Sequence, residues 1–251
     1  MIYKVICHRG LNRTEENTHA SIIDATKLKR TEEIIYGVEF DIQITKDDNI
    51  VCYHDDTMLR LHDNNRRIYD ITNEDIQKYN FPYFEYIISE LSTNKNLIIN
   101  IELKVYEPFE KNKLKTFCKS VMDICTYFNV LPQCIFTSFS SNALLELLSI
   151  NRFIKIGKIS EKVYDINELV QLKTAGVNTF IFHKDTIIDG LNNIITILSD
   201  VDLYAYTFFN VDKKDHLHDM DIINQIKRKN IGLITDNYYK LTNFLMTGIY
   251  Q

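Results

Sequence analysis

The chain has 251 residues, of which 45% are hydrophobic and 25% are charged, and its formal net charge is −5. This length suits one (β/α)₈ barrel or two small domains, and the composition is ordinary for a soluble globular protein. The negative charge argues against sequence-independent binding to a nucleic-acid backbone, and mildly against an anionic membrane as the main partner.

Short β-branched or aromatic runs alternate with longer helical patterns along the chain. Such alternation predicts a parallel sheet, and eight units suggest a closed (β/α)₈ TIM barrel. A doubly wound open sheet is the alternative that this pattern leaves open. A ninth run at 50–53 follows a turn-like segment, so we expect a small hairpin insertion after the second strand. The eight barrel strands are predicted at residues 3–7, 37–43, 97–103, 134–138, 155–158, 179–182, 203–208 and 232–235.

Helical spacing of apolar residues predicts helices between these strands. The chain contains only seven glycines and three prolines, and no segment has the composition of a linker. We therefore expect residues 1–251 to form a single domain. The predicted helices span residues 17–29, 113–128, 141–148, 167–174 and 222–229.

The cysteines and the apolar segments bear on the compartment. The five cysteines form no C-x-x-C pair and no zinc-like spacing, so we expect reduced, buried thiols. No apolar run reaches the roughly eighteen residues that a membrane span needs. The first residues lack the basic region and long apolar run of a signal peptide. These features predict a cytoplasmic protein without a transmembrane segment.

Two carboxylates interrupt the second predicted strand. Glu39 and Asp41 are two positions apart, so they share one face of the strand at about 6–7 Å. If that face is the barrel interior, the buried anions need a cation or strong donors. An edge strand with one solvated face is the alternative. Glu102 likewise interrupts an apolar strand and has Lys104 on the same face.

Histidines follow two other strands. His8, Arg9 and Gly10 stand at the end of the first strand, and His54 stands where the short ninth strand stops. Each segment alone would be compatible with an ordinary loop. Together with the carboxylates, the two histidines would flank one site at the barrel top, where active sites of this fold lie.

The combined set of residues is consistent with a metal-dependent phosphodiesterase. Glu39, Asp41 and Glu102 form an oxygen set suited to Mg²⁺ or Ca²⁺. Arg9 and Lys104 would supply positive charge for an anionic substrate. One histidine would remove a proton from the attacking oxygen and the other would protonate the leaving alcohol. The residues do not say which histidine is the acid and which is the base.

The order of these motifs resembles the glycerophosphodiester phosphodiesterase family. The similarity extends from His8 to Asp236 and is densest in the first 60 residues. Its motifs are His8-Arg9-Gly10, Glu16-Asn17-Thr18, Glu39-Phe40-Asp41, His54-Asp55 with Arg60, Pro82-Tyr83-Phe84-Glu85, Glu102-Leu103-Lys104, Ser138-Phe139 and a closing Gly232-Leu233-Ile234-Thr235-Asp236.

The resemblance implies a (β/α)₈ barrel that hydrolyses a small glycerophosphodiester to glycerol 3-phosphate and an alcohol. It implies His8 and His54 as the acid/base pair, and Glu39, Asp41 and Glu102 as ligands of a divalent ion. A lysophospholipase D or a phospholipid head-group lyase on the same barrel is the alternative activity. A catalytically inactive binding homologue is a further alternative, against which the complete residue set argues.

The chain departs from the family pattern late in the sequence. The family often has W-T-V-N where this chain has Tyr206-Thr207-Phe208-Phe209, with Asn210 one place later. This leaves the head group open among choline, ethanolamine, inositol and lysophospholipid. The segment 215–221 contains two histidines and three aspartates, which could form a second metal site, but we expect a solvated surface loop.

Overall fold

A computed structural model describes residues 2–11, 15–28, 31–161, 166–213 and 215–249, and only the backbone of Asp189 and Leu191. Within these ranges, nine strands form one sheet. The strands are β1 (Tyr3–Cys7), β2 (Ile34–Ile44), β3 (Ile50–Cys52), β4 (Ile98–Leu103), β5 (Cys134–Ser138), β6 (Lys155–Ser160), β7 (Thr179–His183), β8 (Asp202–Phe208) and β9 (Ile231–Thr235).

The sheet closes on itself. β1 pairs in parallel with β2 on one side and with β9 on the other, so eight parallel strands of the described chain form a barrel. β3 runs antiparallel to the end of β2 and forms the predicted hairpin. Closure confirms the predicted (β/α)₈ fold and excludes the doubly wound open sheet, which would leave two edges.

Helices surround the barrel, and several extend beyond or between the predicted ones. The first predicted helix ended at Lys29, which lies outside the described residues; the helix that is seen is followed by a 3₁₀ turn at Ala25–Lys27. The helices are α1 (His19–Asp24), α2 (Leu59–His62), α3 (Asn73–Tyr79), α4 (Phe84–Leu91), α5 (Lys111–Tyr127), α6 (Ser141–Ile150), α7 (Ile166–Ala175), α8 (Lys184–Ile197), α9 (Leu217–Ile226) and α10 (Tyr238–Thr247).

Side-chain alternation along the strands divides the core into two layers. One set of strand residues, such as Val38 and Phe40 of β2, packs outward against the helices, where Phe40 contacts Phe84 of α4. The other set fills the barrel interior below the site. That inner layer consists of Ile6, Ile135, Ile159, Ile181, Tyr204 and Ile234.

The segment between β2 and β4 adds a small core of its own. Met58 and Ile68 are fully buried in it, together with Tyr53, at the side of the barrel mouth. Pro82 accepts a backbone hydrogen bond from Cys52 of β3, and α4 starts two residues later. Within the described residues, no helix has the length and apolar character that crossing a membrane requires.

Candidate active site

Three carboxylates meet at the carboxyl ends of β2 and β4. The parallel register sets Asp41 beside Glu102, and Glu39 lies two residues earlier on the same face of β2. One carboxylate oxygen from each residue lies within 4.8 Å of the others, and all three residues are buried. This acidic triad (Glu39, Asp41 and Glu102) faces the barrel interior as predicted, and the solvated edge strand is wrong.

The triad is electrostatically strained without a cation. Burial raises the pKa of Glu39 well above its ordinary value, and the neighbouring Asp41 and Glu102 carboxylates raise it further. Burial also raises the pKa of Glu102 to about 7. Glu39 Oε1 has no hydrogen-bond donor among the described residues. Three converging carboxylates, of which Glu39 and Glu102 have raised pKa values, fit a hard divalent cation such as Mg²⁺ or Ca²⁺.

Two cations lie against this triad. Lys104 Nζ lies 2.7 Å from Glu102 Oε1 and 3.3 Å from Asp41 Oδ1. Arg9 Nε lies 3.4 Å from Asp41 Oδ2. Burial acts to raise the pKa of Asp41, but Lys104, His54 and Arg9 outweigh it, so that the pKa lies below its ordinary value. Both predicted anion-binding cations therefore reach the site.

The turn after β1 brings its residues onto the triad. Arg9 has a φ of 57° and Gly10 a φ of 102°, and a Cβ on Gly10 would collide with Ser21. The Arg9 backbone N–H donates to Glu39 Oε2 at 2.8 Å. Asn17 fixes Asp41 from both sides, donating from Nδ2 to its carboxylate at 2.8 Å and accepting from its backbone N–H at 3.0 Å.

His8 is held by the last strand of the barrel. Its Nδ1 lies 2.6 Å from Asp236 Oδ1, just beyond the end of β9. The contact orients the ring, with Nε2 4.0 Å from Glu39 Oε2 on the triad side. Burial lowers the pKa of His8, although the hydrogen bond with Asp236 opposes this effect.

His54 is held in the same way from the opposite side. Its Nδ1 lies 2.6 Å from Asp55 Oδ1, and Asp55 Oδ2 in turn accepts from Arg60 Nε at 2.6 Å. The Tyr106 hydroxyl donates to the His54 carbonyl at 2.5 Å. Burial lowers the pKa of His54 to about 4, against the raising effect of Asp41. In both histidines, therefore, Nδ1 is the ring nitrogen that a carboxylate holds.

A chain of ion pairs connects the two sides. Glu16 is a buried carboxylate that bridges Arg9, at 3.0 Å, and Arg60, at 3.1 Å. Since Arg60 also holds Asp55, the guanidinium beside the triad is linked to the partner of His54. Glu16 therefore connects the two halves of the site.

One cavity of about 490 Å³ opens over these residues, a size that suits a small ligand. Facing the triad across the mouth is the β8 wall, defined here as Tyr206, Thr207 and Asn210. The cavity lining comprises His8, Arg9, Glu39, His54, Asn100, Glu102, Leu103, Lys104, Val105, Tyr106, Phe139, Ile159, Glu161, Ile181, Tyr206, Thr207, Asn210 and Ile234.

A bulge explains how Asn210 enters the cavity although it stands one place late in the sequence. Ala205 pairs with Leu233 and Phe208 with Thr235, so β8 contains one residue more than β9 over this stretch. The extra residue shifts the following segment by one position.

Comparison with known proteins identifies the family. The sequence model of the glycerophosphoryl diester phosphodiesterase family matches residues 8–240. The chain belongs to this family. A curated glycerophosphodiester phosphodiesterase from Caldanaerobacter subterraneus subsp. tengcongensis is 26% identical over 264 aligned positions, which cover 97% of this chain and 98% of that protein. The predicted family and enzyme class are confirmed.

Solved structures of other proteins share the fold. A glycerophosphodiester phosphodiesterase from Parabacteroides distasonis superposes with a TM-score of 0.80 at 18% identity, covering 98% of both chains. An Oleispira antarctica phosphodiesterase in complex with the product sn-glycerol-3-phosphate superposes with a TM-score of 0.78 at 19% identity, again over 98% of both chains.

The sequence analysis missed some parts of this glycerophosphoryl diester phosphodiesterase site. Asp236 and Asp55 were included in the motifs of the family resemblance but were given no role, yet each carboxylate contacts Nδ1 of a histidine. The expected solvated loop at 215–221 is wrong in part, because His216 and Asp219 are buried, and Asp219 pairs with the buried Lys184. The one feature of the sequence that indicated a buried Asp219 was its position within an apolar helical repeat.

Proposed function

We propose that this chain hydrolyses glycerophosphodiesters to glycerol 3-phosphate and an alcohol in the cavity above the triad. The observation that carries the proposal is the convergence of three carboxylates and two carboxylate-held histidines at one barrel mouth. The name of the Caldanaerobacter relative and the sn-glycerol-3-phosphate complex of the Oleispira protein support this reaction.

We assign Glu39, Asp41 and Glu102 as the ligands of a divalent ion, either Mg²⁺ or Ca²⁺. Buried oxygens this close together repel one another unless a cation or protons neutralise them. When bound, such an ion supplies charge stabilisation for the phosphodiester oxygens. Asn17 and the backbone N–H of Arg9 hold the carboxylates in place for it.

His8 and His54 are the proposed acid/base pair. With Nδ1 of each ring engaged by a carboxylate, Nε2 is the atom that exchanges a proton with an attacking or leaving oxygen. Asp236 and Asp55 stabilise the imidazolium that forms when Nε2 takes up a proton.

Arg9 and Lys104 are the proposed substrate-binding cations. Both line the cavity, and both already lie against triad oxygens, so the phosphodiester would share them with Asp41 and Glu102. Their positive charge offsets the negative charge that the acidic triad and an anionic substrate bring together. The single domain spanning 1–251 and the cytoplasmic location stay predictions.

The test is a substrate panel with purified protein. The panel consists of glycerophosphocholine, glycerophosphoethanolamine, glycerophosphoinositol and lysophosphatidylcholine, each with Mg²⁺, Ca²⁺ or a chelator. Release of glycerol 3-phosphate from at least one glycerophosphodiester supports the proposal. Turnover of lysophosphatidylcholine alone would favour the lysophospholipase D or lyase alternative, and no turnover of any compound would favour an inactive homologue.

A further inference from the structure

A buried ion pair lies behind the β8 wall, outside every motif of the family resemblance. Lys184 is the first residue of α8, and Asp219 lies in the first turn of α9. Each is only 2% exposed, and Lys184 Nζ donates to Asp219 Oδ1. Neither residue lines the cavity, so neither contacts a substrate there.

Both partners of this pair also hold the backbone of the bulged end of β8. Lys184 Nζ donates to the Thr207 carbonyl at 2.7 Å. Asp219 Oδ2 accepts from the Phe209 backbone N–H at 2.7 Å. Phe209 has a φ of 52°, a left-handed conformation that a bulky side chain adopts only where its surroundings fix it.

Phe208, between these two anchors, is held independently by β9. Its carbonyl accepts from the Asp236 backbone N–H at 3.0 Å and from Thr235 Oγ1 at 2.9 Å. The ion pair therefore holds Thr207 and Phe209, the residues on either side of Phe208. Thr207 belongs to the β8 wall, and Phe209 directly precedes Asn210 of that wall. The hydrogen bond between Asp236 and His8 does not involve it.

Packing alone does not account for charges at this place. A buried ion pair is often no more stabilising than apolar side chains of similar volume. Apolar side chains, however, could neither donate to the Thr207 carbonyl nor accept from the Phe209 N–H, and buried backbone groups of a bulge need such partners. The ion pair supplies one donor and one acceptor on opposite sides of one residue.

We propose that Lys184 and Asp219 are a positioning pair that sets the β8 wall against the triad and thereby determines binding of the organic part of the substrate. β8 lies across the barrel from β2 and β4 in the strand order, so its wall faces the phosphodiester from the far side. The expected change in KM rests on the proposed hydrolysis, whereas the expected change in the structure of the β8 wall does not.

The test compares two matched double variants. Lys184→Met with Asp219→Asn removes both charges together, so that no unpaired buried ion remains, and keeps an acceptor for Phe209. The control, Lys4→Met with Asp202→Asn, makes the same changes at the ion pair of 2.7 Å at the opposite end of β8, away from the cavity. If the double variant melts below the assay temperature, the wild type and both double variants are compared at a lower temperature at which all three are folded, because Asp219→Asn alone would leave the Lys184 cation buried and unpaired.

Amide hydrogen exchange measures, without any substrate, how firmly the end of β8 is held. In the Lys184/Asp219 variant, exchange should accelerate by about tenfold or more in peptides covering 204–211, with β2 and β4 unchanged. The control should leave 206–211 at wild-type rates. Wild-type exchange at 206–211 in the variant, or uniform acceleration over the whole barrel, would overturn the positioning role.

Steady-state kinetics on the best glycerophosphodiester measure the effect of the ion pair on substrate binding. We expect KM to rise about tenfold, with kcat changed less than about threefold, because the triad and both histidines keep their own contacts. A fall in kcat at unchanged KM would contradict the assignment to substrate binding. If the wild type turns over no substrate, the proposed hydrolysis fails, and the exchange measurement still decides the positioning role.

Discussion

Asp236 holds His8 across the seam of the barrel. The two residues are 228 positions apart in the chain, yet Asp236 Oδ1 lies 2.6 Å from His8 Nδ1 because β1 and β9 are neighbours. Asp236 is buried, whereas the Asp55 side chain that holds His54 is 25% exposed and shared with Arg60. The two histidines therefore have carboxylate partners of unequal burial.

Asp236→Asn should lower kcat by roughly 10²–10⁴-fold with little change in KM. An asparagine of the same shape can present an N–H to Nδ1 and favour the wrong tautomer, and it no longer stabilises an imidazolium. Steady-state kinetics on the best panel substrate measure this. Asp55→Asn is the matched control and should lose less, because water can reach its contact. A kcat within threefold of wild type for Asp236→Asn would show that the contact is only structural.

His8→Ala and His54→Ala should each lower kcat by about 10²–10⁴-fold, and the double variant should be little worse than the poorer single one. The pH profile at saturating metal should be bell-shaped. The base must be neutral, which sets the acidic limb, and the acid must be protonated, which sets the basic limb.

Burial lowers the pKa of both histidines, so both limbs should shift to the acid side of a free histidine. A variant that keeps both limbs and loses less than tenfold in kcat would identify a histidine that only orients substrate.

Metal binding should release protons and tighten as the pH rises. In the metal-free protein the pKa of Glu39 is raised well above its ordinary value and that of Glu102 to about 7, so these groups hold protons at neutral pH that a cation must displace. Affinity should therefore increase from pH 6 to pH 8. Titration calorimetry in buffers of different ionisation enthalpy measures the proton count, and Glu102→Gln should reduce it. Affinity that is flat over this range would contradict the assigned ligands.

Gly232→Ala should destabilise the barrel by about 1–3 kcal/mol. A Cβ at Gly232 would lie 2.2 Å from Cδ1 of the buried Tyr204 ring on the adjacent strand. Gly190→Ala in α8 is the control, since only the flexible end of Ile194 would have to move, and alanine is the better helix former. Free energies of unfolding from denaturant titration should therefore change in opposite directions, and equal values would refute the close approach.

The strands of this barrel could be predicted well because each is a short apolar run with its own boundaries. β1 and β5 span the predicted residues. In β2 and β4, the carboxylates interrupt the apolar runs and thereby indicated which face of each strand points into the barrel. Helix α4 was not predicted, because its start lies in an aromatic segment whose side chains are partly solvent-facing and partly core.

The sequence could not give the contacts that join distant strand ends. Asp236 and His8 meet only because the barrel closes, and Lys184 and Asp219 meet only because α8 and α9 are adjacent. Charged residues in a polar segment usually indicate a solvated loop, so Asp219 was misassigned. The bulge that places Asn210 in the cavity likewise depends on the pairing of β8 with β9.

The divalent-ion site is tested most directly by measuring release of glycerol 3-phosphate from a glycerophosphodiester by chelator-treated protein, before and after titration with Mg²⁺ or Ca²⁺. We expect no release from the metal-free protein, full recovery with one of the two ions, and a loss of at least about 100-fold in Glu102→Ala at any metal concentration. Undiminished release from the metal-free wild type, or wild-type turnover by Glu102→Ala, would contradict a divalent-ion site at Glu39, Asp41 and Glu102.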